Sequence, residues 1–224
     1  MADSLNYLLN SKIGLYNAGG SCYMASIIQI LIHLEKFLKI FLRKKTNNKS
    51  TLSYIFYNFI NEIVSSSSPI EIKEFSYKYH KINPKFSGRY GNNPMTFFTE
   101  FITQLNKENN NNDILNLFKG QKEIIFEGMD ELNYNEDFLF YLVSLNTKKT
   151  SLYDFIYGAI DDIKELEGDD QLKFKEKIIV EPEILIFNVE INNIEYNFEE
   201  ILYINKTQYN LKAINRYTDF HSTA

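Results

Sequence analysis

From Cys22 to Leu34 the chain reads Cys-Tyr-Met-Ala-Ser-Ile-Ile-Gln-Ile-Leu-Ile-His-Leu. Apolar side chains would cover nearly the whole circumference of a helix here, so the pattern predicts a helix inside a domain rather than on its surface. Gly19-Gly20-Ser21 supplies a turn and a cap directly before it. Arg43 to Ser50 is basic and polar and reads as a loop. A second helix is expected over Leu52 to Val64, ending in the linker Ser65-Ser66-Ser67-Ser68-Pro69. Gly88 to Pro94 is a further break, and Pro94 is suited to open a helix over Met95 to Leu105. The tract Asn109 to Asn112 reads as an exposed loop.

After about residue 118 the pattern changes. Ile124 to Glu127 and Phe138 to Leu145 read as strands, Ser151 to Ile160 as a short helix, and the acidic run Asp161 to Asp170 as a solvated connection. Ile184 to Phe187, after Pro182, and Ile201 to Ile204 are further strand candidates. Tyr209, Leu211 and Ala213 alternate with Asn210, Lys212 and Ile214, as in a strand whose faces differ. Helices first and strands second make an α+β layout with two lobes, and a cleft between lobes is a common place for a site.

A chain of 224 residues with 44% hydrophobic composition can bury a sizeable core. Its net charge of -5 gives no reason to expect a nucleic-acid or membrane partner. There is one cysteine, Cys22. That excludes an intramolecular disulfide framework, points to a reducing compartment and leaves too few soft ligands for a Cys-rich zinc site. With no secretory signal and no membrane-spanning run visible, a soluble protein of the cytoplasm or nucleus is expected.

The chemistry therefore centres on Cys22. A thiol attacks as thiolate, and the unpaired N–H groups and macrodipole at a helix start favour the anion. The competing reading is a buried cysteine acting as a small hydrophobe. A partner base must be one of three histidines. His33 lies about 16 Å along the same helix and cannot meet Cys22. His80, in Tyr77-Lys78-Tyr79-His80, has no feature that brings it to the helix start. His221 follows the strand at Tyr209 to Ile214 across a short loop, an arrangement able to return a distant histidine to Cys22, although near a chain end it could equally be a tail residue.

Gly14-Leu15-Tyr16-Asn17-Ala18-Gly19-Gly20-Ser21-Cys22-Tyr23-Met24-Ala25-Ser26-Ile27-Ile28-Gln29 resembles the cysteine box of the ubiquitin-specific proteases, Gly-Leu-x-Asn-Leu-Gly-Asn-Thr-Cys-Tyr-Met-Asn-Ser-x-x-Gln. Weaker similarities follow in order. Asn93 to Phe98 stands where the family has Gln-Asp-Ala-x-Glu-Phe, with Phe98 matching. Pro182 to Ile186 resembles a Pro-x-x-Leu-x strand. Tyr209 to Ile214 followed by His221-Ser222-Thr223-Ala224 resembles the histidine box, Tyr-x-Leu-x-Ala-Val then Gly-His-Tyr-x-Ala.

The resemblance implies a papain-like cysteine peptidase fold in a single catalytic domain, residues 1–224. A helical thumb lobe would occupy 1–117 and a β palm with reduced fingers 118–224. It implies Cys22 as nucleophile, His221 as base and Asn17 as oxyanion donor; no cofactor and no metal are expected for this chain. It also implies ubiquitin or a ubiquitin-like protein, and the proteins conjugated to it, as partners, and cleavage after the C-terminal glycine of the modifier. The departures are Phe220 for the Gly before the histidine, Ser222 for the following Tyr, no zinc cysteines in the short fingers between about Gly120 and Phe138, and no Asp or Asn after His221 to orient it. Asp219 is the nearest carboxylate. A truncated product, a Cys–His dyad and a non-catalytic ubiquitin-binding scaffold are all compatible with these departures, and a thiol peptidase or transferase with an unrelated substrate is a further alternative.

Overall fold

Apolar positions at helical spacing and good caps account for the first half of the chain. In the computed structural model, residues 2–10, 13–17, 19–44, 46–87, 92–110, 112–143, 156, 160, 163–166, 169–189, 200–218 and 221–223 are described. The helices are α1 (Ala2–Asn10), α2 (Cys22–Leu31), α3 (Glu35–Arg43), α4 (Leu52–Ser65), α5 (Lys73–Ile82), α6 (Pro94–Asn109) and α7 (Asp113–Phe118), with a 3-10 turn at Pro84–Phe86. As its all-round apolar surface predicts, α2 is buried at every position from Cys22 to Ile28 and again at Leu31. On α3, Phe37, Leu38, Phe41 and Leu42 face the core, and Glu35 pairs with Lys39 outside it.

Two caps set where helices begin. Asn93 Oδ1 accepts from the N–H groups of Met95 (2.8 Å) and Thr96 (3.2 Å), so α6 starts at Pro94, whose missing N–H costs nothing in the first turn. At α4, Thr51 Oγ1 accepts from the Tyr54 N–H. The Glu108 carboxylate of α6 accepts from the N–H groups of Leu52 (2.9 Å) and Ser53 (2.7 Å). Glu108 thereby satisfies donors that a helix start otherwise leaves unpaired, and places negative charge at the positive end of the dipole. Between the helices lies an aromatic core in which Phe56 sits 4.9 Å from Phe41 and 5.1 Å, edge-on, from Phe101.

The second half holds a four-stranded antiparallel sheet in the order β4-β3-β7-β6, made of β3 (Gly120–Phe126), β4 (Tyr134–Phe138), β6 (Lys164–Leu166) and β7 (Asp169–Val180). Gly120 stands opposite Phe138. A Cβ there would lie 2.4 Å from the Phe138 ring, so the ring folds over a position open only to glycine. Along β7, Lys173, Lys175 and Lys177 are exposed while Glu176 and Ile178 are buried. Glu176 accepts from Lys122 (2.8 Å), Lys164 (2.6 Å) and the Tyr141 hydroxyl. Burial alone would push Glu176 up, but these three donors outweigh it and hold its carboxyl below the usual range. The pair β5 (Tyr141–Val143) and β8 (Phe187–Val189) is parallel, and β9 (Ile201–Ile204) and β10 (Thr207–Asn210) form a hairpin. Phe138, Tyr141, Val143, Ile178 and Ile204 build the core of this half, joined by the helical residues Ile156 and Ile160.

The chain divides into two compact units. One is Met1–Leu115 with Lys212–Ala224, the other Asn116–Leu211. The last residues thus cluster with the helices. A further strand pair, β11 (Arg216–Thr218) and β12 (His221–Thr223), belongs to the first unit, as do β1 (Leu15–Tyr16) and its parallel partner β2 (Ile70–Glu71).

Several local expectations change. The acidic run expected as a connection contributes β6 and the start of β7, because Lys164-Glu165-Leu166 pairs with β7. The strand expected at Ile184 to Phe187 begins instead at Phe187. Of the strand expected over Tyr209 to Ile214, Tyr209 and Asn210 lie in β10, and the Leu211 N–H still donates to the Glu200 carbonyl (2.8 Å). Most of the helix expected at Ser151 to Ile160, and residues 88–91 of the break before Pro94, lie outside the described residues. No helix among the described residues is long and apolar enough to cross a membrane.

Candidate active site

The segment before Cys22 is held at both ends. Ahead of it, the N–H groups of Ile70 and Ile72 donate to the carbonyls of Gly14 (3.1 Å) and Tyr16 (3.3 Å), fixing β1 on β2. Behind it, Gly19 and Gly20 take left-handed conformations at φ +65° and +70°. Nothing lies within 4 Å of a Cβ added at Gly19, so glycine is required there by backbone geometry and not by crowding. These two residues turn the chain sharply enough for Ser21 to come back to Asn17.

That return orients the Asn17 amide. Asn17 Oδ1 accepts from the Ser21 N–H (3.1 Å) and from the Ser21 hydroxyl (3.0 Å). With its oxygen engaged twice by Ser21, the Asn17 amide is held in one orientation. Asn17 is exposed and Ser21 buried. The Ser21 carbonyl accepts from the N–H groups of Met24 (3.0 Å) and Ala25 (2.9 Å), which opens α2 with Cys22 as its first residue. Cys22 is a free cysteine, 5% exposed. Gln29, about two helical turns further on, donates from Nε2 to the Ile13 carbonyl (3.1 Å) and ties α2 to the segment leading into β1.

The three histidines separate clearly. β12, which begins at His221, packs on α2, with Cα atoms of the two elements within 8 Å of each other, and it is held in register by Thr218 opposite His221 on β11. Cys22, Asn17 and His221 therefore all belong to the first unit, formed by one helix, the loop that precedes it and a strand from the far end of the chain. His33 lies past the other end of α2, with Nδ1 2.7 Å from the Gln29 carbonyl, as the rise of a helix requires. His80, on α5, stands 3.5 Å from the hydroxyl of Tyr23 and 3.4 Å from that of Ser76. Burial lowers its basicity, so it is neutral near pH 7. Asp219 and Phe220 lie outside the described residues.

The contact between His80 and Tyr23 was not legible in the sequence, since 57 residues separate them and neither carries a motif for the other. Phe98 is buried on α6, the helix expected from Pro94, and α6 packs against α2. Among the described residues no group of three or more His, Cys, Asp or Glu side chains could hold a metal ion.

The family model for ubiquitin carboxyl-terminal hydrolase matches residues 13–218. A search of curated protein sequences finds no match. Among solved structures, the chain is similar to the SAGA DUB module containing a Ubp8 variant, Sgf11, Sus1 and Sgf73 bound to monoubiquitin. The TM-score is 0.71 at 17% identity, over 94% of this chain and 60% of that one. It is also similar to the SAGA Ubp8/Sgf11/Sus1/Sgf73 DUB module bound to ubiquitin aldehyde, with a TM-score of 0.60 at 17% identity, over 88% of this chain and 49% of that one. The chain thus spans less than two thirds of the length of the chains it resembles.

Proposed function

Because the chain belongs to the ubiquitin carboxyl-terminal hydrolase family, we propose that it is a thiol-dependent deubiquitinase that cleaves the bond after the C-terminal glycine of ubiquitin or a ubiquitin-like modifier. The observation that carries this reading is the Asn17 amide, held by Ser21 with its donor end free of that contact, at the entrance to the helix that Cys22 opens.

In the proposed reaction His221 takes the Cys22 proton and the thiolate attacks the glycine carbonyl. A C–S bond forms and the carbonyl π electrons move to oxygen. Asn17 Nδ2 and the Cys22 N–H donate to that oxyanion. Collapse breaks the C–N bond, and the His221 imidazolium gives its proton to the departing lysine amine. Water, deprotonated by His221, then attacks the thioester. The C–S bond breaks, the modifier leaves with a free carboxylate, and Cys22 returns. The modifiers in the two similar structures are ubiquitin and ubiquitin aldehyde, which supports ubiquitin as the substrate. A thiolate nucleophile is best kept in a reducing compartment, cytoplasmic or nuclear.

The depth of Cys22, 5% exposed, favours one second reading, a ubiquitin-binding scaffold that keeps the fold without turnover. Release of a fluorogenic amine from the C-terminus of ubiquitin separates the two. Turnover that is lost in Cys22→Ala and falls steeply in His221→Ala supports the hydrolase. Wild-type binding of ubiquitin with no release, unchanged by either substitution, supports the scaffold.

A further inference from the structure

Tyr23 is almost fully enclosed, 1% exposed, and its ring is wedged between Phe86 (6.0 Å, stacked) and Phe97 (5.5 Å, edge-on). Its hydroxyl nevertheless ends in a polar pocket. His80 Nε2 lies 3.5 Å away, Ser76 Oγ lies 3.4 Å from the same nitrogen, and the Asn92 side chain also reaches the hydroxyl. Asn92 is tied in turn to the Phe86 carbonyl at 3.4 Å. Three elements, α5, the 3-10 turn with its following loop, and α6, therefore meet at one phenol. A buried polar group fixed this way selects one arrangement of the side chains around it, whereas apolar packing alone admits several. Burial pushes Tyr23 up to about 12, and it stays a neutral phenol that can donate and accept.

Tyr23 directly follows Cys22 in the first turn of α2. On a helix the direction of one residue fixes that of its neighbour, about 100° around the axis. We infer that Tyr23 and His80 are positioning residues, a clamp that sets the rotation of the first turn of α2 and so aims the Cys22 thiol. His80 meets the far end of the Tyr23 side chain, so its effect on Cys22 would run through Tyr23. The inference rests on the deubiquitinase reading for its effect on turnover, but not for its effect on the thiol itself.

Misplacement of a reacting group by about 1 Å can cost on the order of a hundredfold in rate. In Tyr23→Phe the ring packing is kept and the hydroxyl removed. In His80→Ala the partner is removed at a half-buried position. Each is expected to lower kcat for ubiquitin-amide hydrolysis about tenfold with KM unchanged, and the double variant is expected to be no worse than either single one. His80→Gln, which restores a polar group at the phenol, is expected to recover most of the loss.

The chain's single cysteine gives a second readout independent of ubiquitin. Iodoacetamide labelling of Cys22 should become at least threefold faster in Tyr23→Phe and His80→Ala as the first turn loosens, and slow again in His80→Gln. Falling turnover with rising alkylation is a pair that simple loss of folded protein does not produce for activity counted per folded molecule. If wild type hydrolyses no ubiquitin substrate, the deubiquitinase reading fails, and the alkylation series alone decides the clamp. Unchanged alkylation and unchanged kcat in both single variants, or a loss in His80→Ala that His80→Gln does not restore, would overturn it.

Discussion

At the residue scale, the Asn17 side chain has two ends with different tasks. The oxygen end holds Ser21 and so the turn before α2, while the nitrogen end is the proposed oxyanion donor. Asn17→Asp keeps an acceptor for Ser21 and deletes the donor. It is expected to leave the thermal midpoint near that of wild type and to lower kcat about 10²–10³-fold, the range for losing one oxyanion donor. Loss of stability without loss of rate would reduce Asn17 to a turn residue. The sequence already displays Asn17, Gly19, Gly20 and Cys22 at fixed spacing, because the turn and helix start that carry the candidate nucleophile are local. It cannot display Tyr23 meeting His80, which depends on how α5 packs against α2.

At the element scale, helices that carry their own signals were legible. Cys22–Leu31 is apolar all round, Leu52–Ser65 has a clear apolar run, and Pro94–Asn109 has Asn93-Pro94 at its start. α3 and α5 were not. α5 buries Phe75, Ser76 and Tyr79 among lysines and tyrosines, a face that reads as polar until aromatic neighbours cover it. β7 was obscured because its inward register carries a charge, Glu176, between Phe174 and Ile178, so the expected alternation of apolar and polar breaks.

Glu108 shows the same dependence on tertiary structure, since it caps α4 from α6. Glu108→Ala should cost about 1–2 kcal/mol, in keeping with the loss of a charged helix cap. Urea denaturation checks this, and a midpoint equal to that of wild type would show the cap to be idle.

At the scale of the whole molecule, the candidate catalytic groups gather in one unit, and the other carries a buried charge network of its own. Glu176 ties β7 to Lys122 on β3, Lys164 on β6 and Tyr141 on β5. Burial opposes its ionised form, yet the hydrogen bonds from Lys122, Lys164 and Tyr141 leave its carboxyl held below the ordinary value of 4.5. A carboxylate lowered on folding stabilises the native state above its unfolded value, and that contribution disappears as pH falls through the folded value. Glu176→Gln should therefore destabilise the protein at pH 7 by about 3 kcal/mol, because two lysines lose their counter-charge. The gap from wild type should close as the pH falls below about 4. Thermal unfolding followed from pH 7 to pH 3 reads this directly, and a gap that is constant with pH would assign the loss to packing instead of charge.

The most direct test of a ubiquitin-directed nucleophile at Cys22 is the mass of the protein after incubation with ubiquitin carrying a thiol-reactive group at its C-terminus. An adduct heavier by one ubiquitin is expected, absent in Cys22→Ala and slower to form in His221→Ala. An intact protein of unchanged mass, from wild type that is folded and binds ubiquitin, would contradict it.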